Sequence, residues 1–419
     1  MSSNETAGGD GPAGAAAPLR VLFTTTPGWG HIYPMVPLAR AFIERGDEVS
    51  WVAPREAWPW LAEAGLDVRP GGLNMDEAMA QFFRRFPEVN SLAPKDVPDF
   101  MFPRIFGHVM AEPMLRDLLP VVESWRPSLV VHEAGDFAAP IAAAAAGIPS
   151  VTHAFGAVLP KHRVALAGEA VAPLWQTQGL EPRPFGGCYD DALYLDIYPP
   201  SLQVEDTTHI EATQPLRPVA FAAGRGEEVP HEMLASEKPL VYVTFGTYFN
   251  RNVSLLAAVV EAIRALPVNV VVTIGPLNDP AQLGHQPSNV FVTRYIPQTE
   301  LLPHTGVVVS HAGSGTVLAA LAAGIPQLCL PQGADQFINA AAVSNAGAGL
   351  SIQPGPGAGV SIEPGSLTSE AVGDAVTRLL SDSRIAVSAR RLRDAIADMP
   401  SPARVADILA TRLAHSPGR

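Results

Sequence analysis

Two short stretches of this chain combine residue types that could do chemistry. The first is Ser310-His311-Ala312-Gly313-Ser314-Gly315-Thr316, which follows the apolar run Val307-Val308-Val309 and opens an alanine-rich helical segment. A strand-to-helix turn of this kind gathers unpaired backbone N–H groups, the positive end of a helix dipole and two small hydroxyls at one point. Its glycines let an anion approach the backbone closely, so the turn suits a phosphate, and a histidine at its mouth can donate to a phosphate oxygen. Gly and Ser can also do no more than cap a helix, so the turn alone does not decide. The second stretch is Pro27-Gly28-Trp29-Gly30-His31-Ile32-Tyr33-Pro34, directly after the apolar run from Leu19 to Thr24. Open parallel sheets bind ligands at the carboxyl ends of their strands, where this turn falls. An imidazole with its ordinary pKa of about 6.5 can take a proton there at neutral pH. A histidine standing alone is usually structural.

Both turns need strands and helices in alternation to position them. A strand at Leu19–Thr24, a helical pattern from about Met35 to Glu44 stopped by Gly46, and a strand at Val49-Ser50-Trp51-Val52 open a βαβ unit and imply a parallel sheet. The same order recurs over Leu129–Val151 and Val307–Leu330. Each copy runs strand, polar turn, alanine-rich helix and Gly-Ile-Pro (147–149 and 324–326) into a further strand. Gly closes such a helix and Pro prevents its continuation. A separate strand-first start at Leu240–Thr244 completes the case for two α/β domains of similar build. The expected boundaries are a disordered leader at 1–18, a first domain at 19–216, a polar linker at 217–238, a second domain at 239–400 and a terminal helix at 401–419. The leader lacks the basic start and apolar core of a signal peptide. Pro354–Gly359 reads as a mobile surface loop of the second domain. Between Phe82 and Met110 lie Phe83, Phe86, Phe100, Met101, Phe102 and Phe106, which fit the helix period poorly. They are either core anchors under an irregular loop or an adaptable apolar pocket.

Composition narrows the function classes. The chain has 419 residues, 47% apolar and only 16% charged, which is globular. A net charge of −13 and a pI near 5.3 disfavour nucleic acid and anionic membranes as partners. Cys188 and Cys329 are the only cysteines, too few for a disulfide framework or a zinc cluster. No apolar run reaches the roughly 18 residues of a membrane span, and a cytoplasmic location is the default. Asp190-Asp191 is the only Asp-Asp pair and lies outside both turns, so no metal is assigned.

The neighbours of the first turn make it specific. Tyr295-Ile296-Pro297-Gln298 and Leu301-Leu302-Pro303-His304 lie upstream, and Pro331-Gln332-Gly333-Ala334-Asp335-Gln336-Phe337-Ile338-Asn339 lies downstream. Together they resemble the donor-binding signature of the family-one nucleotide-sugar glycosyltransferases, and among these the actinobacterial enzymes of antibiotic biosynthesis. The resemblance implies a GT-B fold, with two Rossmann-like parallel-sheet domains facing a central cleft and a terminal helix returning to the first domain. It implies inverting, metal-independent transfer, with a nucleotide sugar as co-substrate and no cofactor. By the same resemblance Tyr295 stacks on the pyrimidine and the Ile296 backbone reads its edge. His311, Gly313, Gly315 and Thr316 match diphosphate positions, with Ser314 among the donor contacts and Thr247 near the phosphates. Asp335 and Gln336 match the pair that binds sugar hydroxyls.

One departure bears on the nucleotide. Ala319 stands where UDP-sugar enzymes of the family usually carry a glutamate that binds both ribose hydroxyls. A buried carboxylate facing a missing 2′-hydroxyl would lose its partner, so the alanine points to a dTDP-sugar over a UDP-sugar. In the acceptor half, His31 matches the catalytic base of a Gly-His-x-x-Pro element. Glu133 takes the place of its supporting acid, where aspartate is more usual. Asp136 could substitute, and Glu133 could instead cap the helix beginning near Phe137. Phe82, Phe83, Phe86, Phe102, Phe106 and Met110 are the expected pocket for a large apolar or aromatic acceptor, and a homodimer is left open.

Three other functions fit the sequence less well. A dehydrogenase is disfavoured because Tyr33 stands at the third fingerprint glycine and Val52-Ala53-Pro54-Arg55 holds no acid for a ribose. A sugar-nucleotide epimerase on the same fold leaves the phenylalanines unexplained. A non-catalytic sugar-nucleotide-binding helper does not need His31, Asp335 and Gln336 intact.

Overall fold

Strands such as Leu240–Thr244 and Asn269–Thr273 are buried at every position, so they have no face to give to solvent. Strands of that kind belong inside a parallel sheet covered on both sides. The computed structural model describes residues 18–93, 96–190, 192–221, 226–246, 253–275, 278–353 and 368–415. Thr247, Asp191, the Pro354–Gly359 loop and nearly all of the leader lie outside the described residues.

Two all-parallel sheets result. The first comprises β1 (Arg20–Thr24), β2 (Glu48–Ala53), β3 (Asp67–Pro70), β4 (Leu129–Glu133), β5 (Ser150–His153), β6 (Leu193–Asp196) and β7 (Thr213–Pro215), in the order β3-β2-β1-β4-β5-β6-β7. The second comprises β8 (Leu240–Thr244), β9 (Asn269–Thr273), β10 (Val290–Thr293), β11 (Thr305–Ser310), β12 (Gln327–Cys329) and β13 (Gly349–Ser351), in the order β10-β9-β8-β11-β12-β13. Each sheet changes direction of winding once, at β1/β4 and at β8/β11. A crevice opens at such a point because the chains leaving the two strands part to opposite faces. The registers there are alike, with Thr24 opposite His132 and Thr244 opposite Ser310. Glu133 and His311 are therefore equivalent positions, each one residue beyond the last of these pairs.

The chain returns to the first domain at its end. The helix Pro402–His415 packs on the helix Val36–Glu44, and Val405, Ala406 and Leu409 join the first domain's core. The Arg217 N–H donates to the Pro400 carbonyl at 2.8 Å, fastening the crossing. No helix among the described residues is long and apolar enough to cross a membrane.

The region between β3 and β4 explains its own poor periodicity. A helix over Met75–Arg85 opens with a reciprocal cap between Asn74 and Glu77. A short helix (Val97–Phe102) runs into a π-helical segment (Pro103–Met110) and then the long helix Ala111–Trp125. A π-turn holds more residues than an α-turn, so it shifts the faces that follow it.

Candidate active site

The turn after β1 carries His31 in a one-turn helix, Trp29–Ile32, and the pairing of β1 with β4 brings Glu133 beside it. His31 Nδ1 lies 3.2 Å from Glu133 Oε2. The Glu133 carboxylate is fully buried and accepts from four sides. Thr26 gives its hydroxyl and its N–H to Oε1, while the Gly135 N–H and His31 meet Oε2. Burial alone would lower the His31 pKa, but the Glu133 charge and hydrogen bond, helped by Asp335 across the cleft, hold it above the usual histidine value. Burial would raise Glu133, and His31 with the Thr26 hydroxyl and the Gly135 N–H holds it below the usual carboxylate range. With Nδ1 so engaged, Nε2 on the far side of the ring is left for the cleft.

Asp136 does not share this arrangement. It lies under the helix Ala138–Ala145, where its Oδ1 accepts from the N–H groups of Ala138 (3.1 Å) and Ala139 (3.3 Å), and burial pushes its pKa up to about 6. The helix cap is thus Asp136, and Glu133 is the acid that meets His31.

On the opposite wall, the turn after β11 leads into the helix Ser314–Ala322. Gly313 is its N-cap residue, and among the described residues no side chain caps the helix start. The first turn of the helix is therefore open toward the cleft, as an anion site requires. His311 is held between Gly246 and Gly313. A Cβ on either glycine would stand 2.7 or 2.6 Å from the imidazole, so only glycine fits on each side. Burial pushes the His311 pKa down to about 4 against the pull of Asp335, which keeps the ring neutral at physiological pH. Thr316 accepts from Gln298 Nε2 at 3.1 Å. Tyr295 is half-buried beyond β10, its pKa raised by burial to about 12, and Ile296 beside it is buried. Asp335 precedes the helix Gln336–Asn345 without capping it, and its Oδ2 accepts from Ser314 Oγ at 2.7 Å. Gln336 Oε1 is taken by the N–H groups of Gln332 and Gly333, so only its NH2 can reach a ligand.

These residues share one cleft of about 1190 Å³, lined by His31, Phe102 and Phe106 on one side and by Tyr295, Ile296, His311, Gly313, Ser314, Gly315, Thr316, Asp335 and Gln336 on the other. Ala319 lines it too, 8% exposed. The aromatic stretch divides differently from expectation. Phe106 lies 5.5 Å, ring to ring, from His31 and 4.9 Å from Phe102, with both pairs of rings tilted. Phe82 is instead the fully buried centre of a separate small core that includes Met110 and is flanked by Phe86, and Phe83 is 45% exposed. None of these four lines the cleft. The helix Met75–Arg85 buries Ala78 and Phe82 in that core, so the Phe82 ring is not free to line a pocket.

Comparison with known proteins bears on this geometry directly. Family models described as the N-terminal and C-terminal domains of erythromycin biosynthesis protein CIII-like proteins match residues 40–223 and 257–411. The L-demethylnoviosyl transferase of Streptomyces niveus is 34% identical, covering 94% of this chain and 98% of its own. The elloramycin glycosyltransferase of Streptomyces olivaceus is 33% identical, covering 94% and 97%. The chain belongs to the family-one glycosyltransferases of antibiotic biosynthesis. A spinosyn rhamnosyltransferase, solved with thymidine diphosphate and with spinosyn aglycone, superposes with a TM-score of 0.77 at 26% identity, over 93% of this chain and 100% of that one. The glycosyltransferase therefore has the GT-B architecture of two facing Rossmann-like domains.

Several cleft residues of the glycosyltransferase escape a reading of sequence alone. Phe155, two residues past β5, lies 4.4 Å from the His31 ring. Its place at a strand's carboxyl end near the switch point was the available signal. Met75 and Met79, one turn apart on the capped helix, also line the cleft with Ile105 and Leu159. The i, i+4 methionines behind an Asn-x-x-Glu cap could have been found.

Proposed function

We propose that this glycosyltransferase moves a sugar from a dTDP-sugar to a hydroxyl of a large apolar or aromatic natural product, with inversion and with His31 as general base. One observation carries the reading: the His31–Glu133 pair and the open helix end beside His311 and Asp335 face each other across a single cleft. The acceptor hydroxyl gives its proton to His31 Nε2 while its oxygen bonds the anomeric carbon. The bond from that carbon to the diphosphate oxygen breaks on the opposite face, and the nucleoside diphosphate leaves with the electron pair. Glu133 stabilises the imidazolium formed. The N–H groups at the start of helix Ser314–Ala322 and the neutral His311 meet the charge building on the leaving diphosphate, so the step needs no metal. Asp335 and Gln336 hold sugar hydroxyls, and Phe102, Phe106 and Phe155 supply the apolar surface for the acceptor. Two findings support the nucleotide: Ala319 lines the cleft, and the spinosyn rhamnosyltransferase was solved with thymidine diphosphate.

Melting-temperature shifts with dTDP and UDP test the donor, and dTDP is expected to give the larger shift. A clearly larger shift with UDP refutes the deoxyribose argument. Product from an α-linked dTDP-sugar should be β-linked by NMR, and retained configuration refutes the single displacement.

A further inference from the structure

A buried hydrogen-bonded group joins the two domains beneath the cleft. Tyr198, two residues past β6 in the first domain, is fully buried and donates its hydroxyl to Asn339 Oδ1 of the second domain at 2.6 Å. Asn339, also fully buried, turns its NH2 toward the Ala312 carbonyl (2.9 Å), Asp335 Oδ2 (2.8 Å) and Ser314 Oγ (3.0 Å). A carbonyl and a carboxylate can only accept, so these neighbours fix which end of the amide faces Tyr198. Ala312 (φ 64°) and Ala334 (φ 52°) both adopt the left-handed conformation that residues with a Cβ rarely take. Surroundings must over-determine such turns to sustain them. Asn339 grips the carbonyl of the first and the carboxylate that follows the second. Beside this group Gly156 of the first domain touches Ser314, where a Cβ would come within 2.1 Å of Oγ.

We infer that Tyr198 is a positioning residue lent by the first domain to the donor site of the second. Through Asn339 it fixes Asp335 and the Ala312 turn, so the sugar end of the donor is held in place only while the two domains are together. This rests on the reading of Asp335 as the sugar-binding carboxylate. The nucleoside contacts, Tyr295 and Ile296, stand outside the network, while the diphosphate turn and Asp335 stand within it, so the network should govern the sugar most and the nucleotide less.

The test uses Y198F, which deletes one hydroxyl and keeps the ring, and G156A, which wedges the domains apart without touching Tyr198. Amide hydrogen exchange at residues 312–314 and 333–335 should quicken by roughly three- to tenfold in both variants, the scale of one buried hydrogen bond, while β9 is unchanged. By calorimetry, dTDP-glucose should weaken by the same factor, and dTDP, which meets the 312–314 turn but not Asp335, by a clearly smaller one. Unchanged exchange at both turns overturns the inference, as does a loss of dTDP affinity equal to that of dTDP-glucose. A wild-type enzyme that binds no dTDP refutes the donor reading instead. If it binds dTDP-glucose no better than dTDP, the exchange rates decide.

Discussion

Replacing Glu133 by Gln keeps the side chain's shape and removes its charge, so it isolates what the carboxylate does for His31. Four donors converge on the two oxygens: the Thr26 hydroxyl and N–H, the Gly135 N–H, and His31 Nδ1. An amide must aim its NH2 at one pair. Aimed at the Gly135 side, it makes His31 accept at Nδ1, and the ring proton moves to Nε2, the nitrogen that has to be free to act as base. Either way a buried backbone N–H, that of Gly135 or that of Thr26, loses its acceptor, at about 1–3 kcal/mol. The lost charge has its own effect. With the charge and its hydrogen bond gone, the His31 pKa should fall. The sign follows from the native balance. Glu133 holds the His31 pKa up against burial, and without it burial is left to pull the pKa down. A base works when deprotonated, so kcat/KM should rise through the His31 pKa, and in E133Q that acid limb should move to lower pH. The plateau should also fall, by about 10²–10⁴, the usual worth of general-base catalysis. Rates from about pH 5 to pH 9 by product chromatography give both numbers. A plateau within about threefold of wild type, with an unmoved limb, would place the base elsewhere.

Other perturbations separate the two walls of the cleft. A319E puts a carboxylate where dTDP offers no 2′-hydroxyl, and dTDP affinity should drop by about tenfold or more, with UDP gaining relative to dTDP; equal losses for both would refute the deoxyribose argument. F106A should raise the acceptor KM by about tenfold with dTDP binding intact, whereas F83S, on an exposed ring away from the cleft, should change it by less than about twofold. H311A should lower kcat by about 10²-fold at every pH above 5, because His311 is already neutral there; a loss that appears only at acid pH would mean it acts as a cation.

Residues near one another in the chain were the most readable. The turns that carry His31 and His311 are set by the apolar runs and glycines around them, and the structure has both turns where those signals fall. Glu133 and Asp136 could not be told apart, because only the pairing of β1 with β4, more than a hundred residues distant, decides which acid meets His31. The aromatic stretch failed for another reason. Spacing arguments assume 3.6 residues per turn, and the π-helical segment Pro103–Met110 breaks that assumption just where Phe102 and Phe106 turn to the cleft. The Tyr198–Asn339 bond, across 141 positions and two domains, leaves no local trace at all.

The equivalence of Glu133 and His311, one residue past matched strand pairs, was equally invisible, and it carries a chemical consequence. Both histidines lie in the crevice of a switch point. His31 has a carboxylate at the equivalent place on the neighbouring strand and is raised toward the range where a base is useful. His311 occupies that place itself, with glycines on both sides, and burial keeps it neutral. Under the proposed route, one sheet geometry used twice would supply a proton acceptor on the acceptor side and an uncharged hydrogen-bond donor on the donor side. Transfer by the proposed route needs both at the same pH.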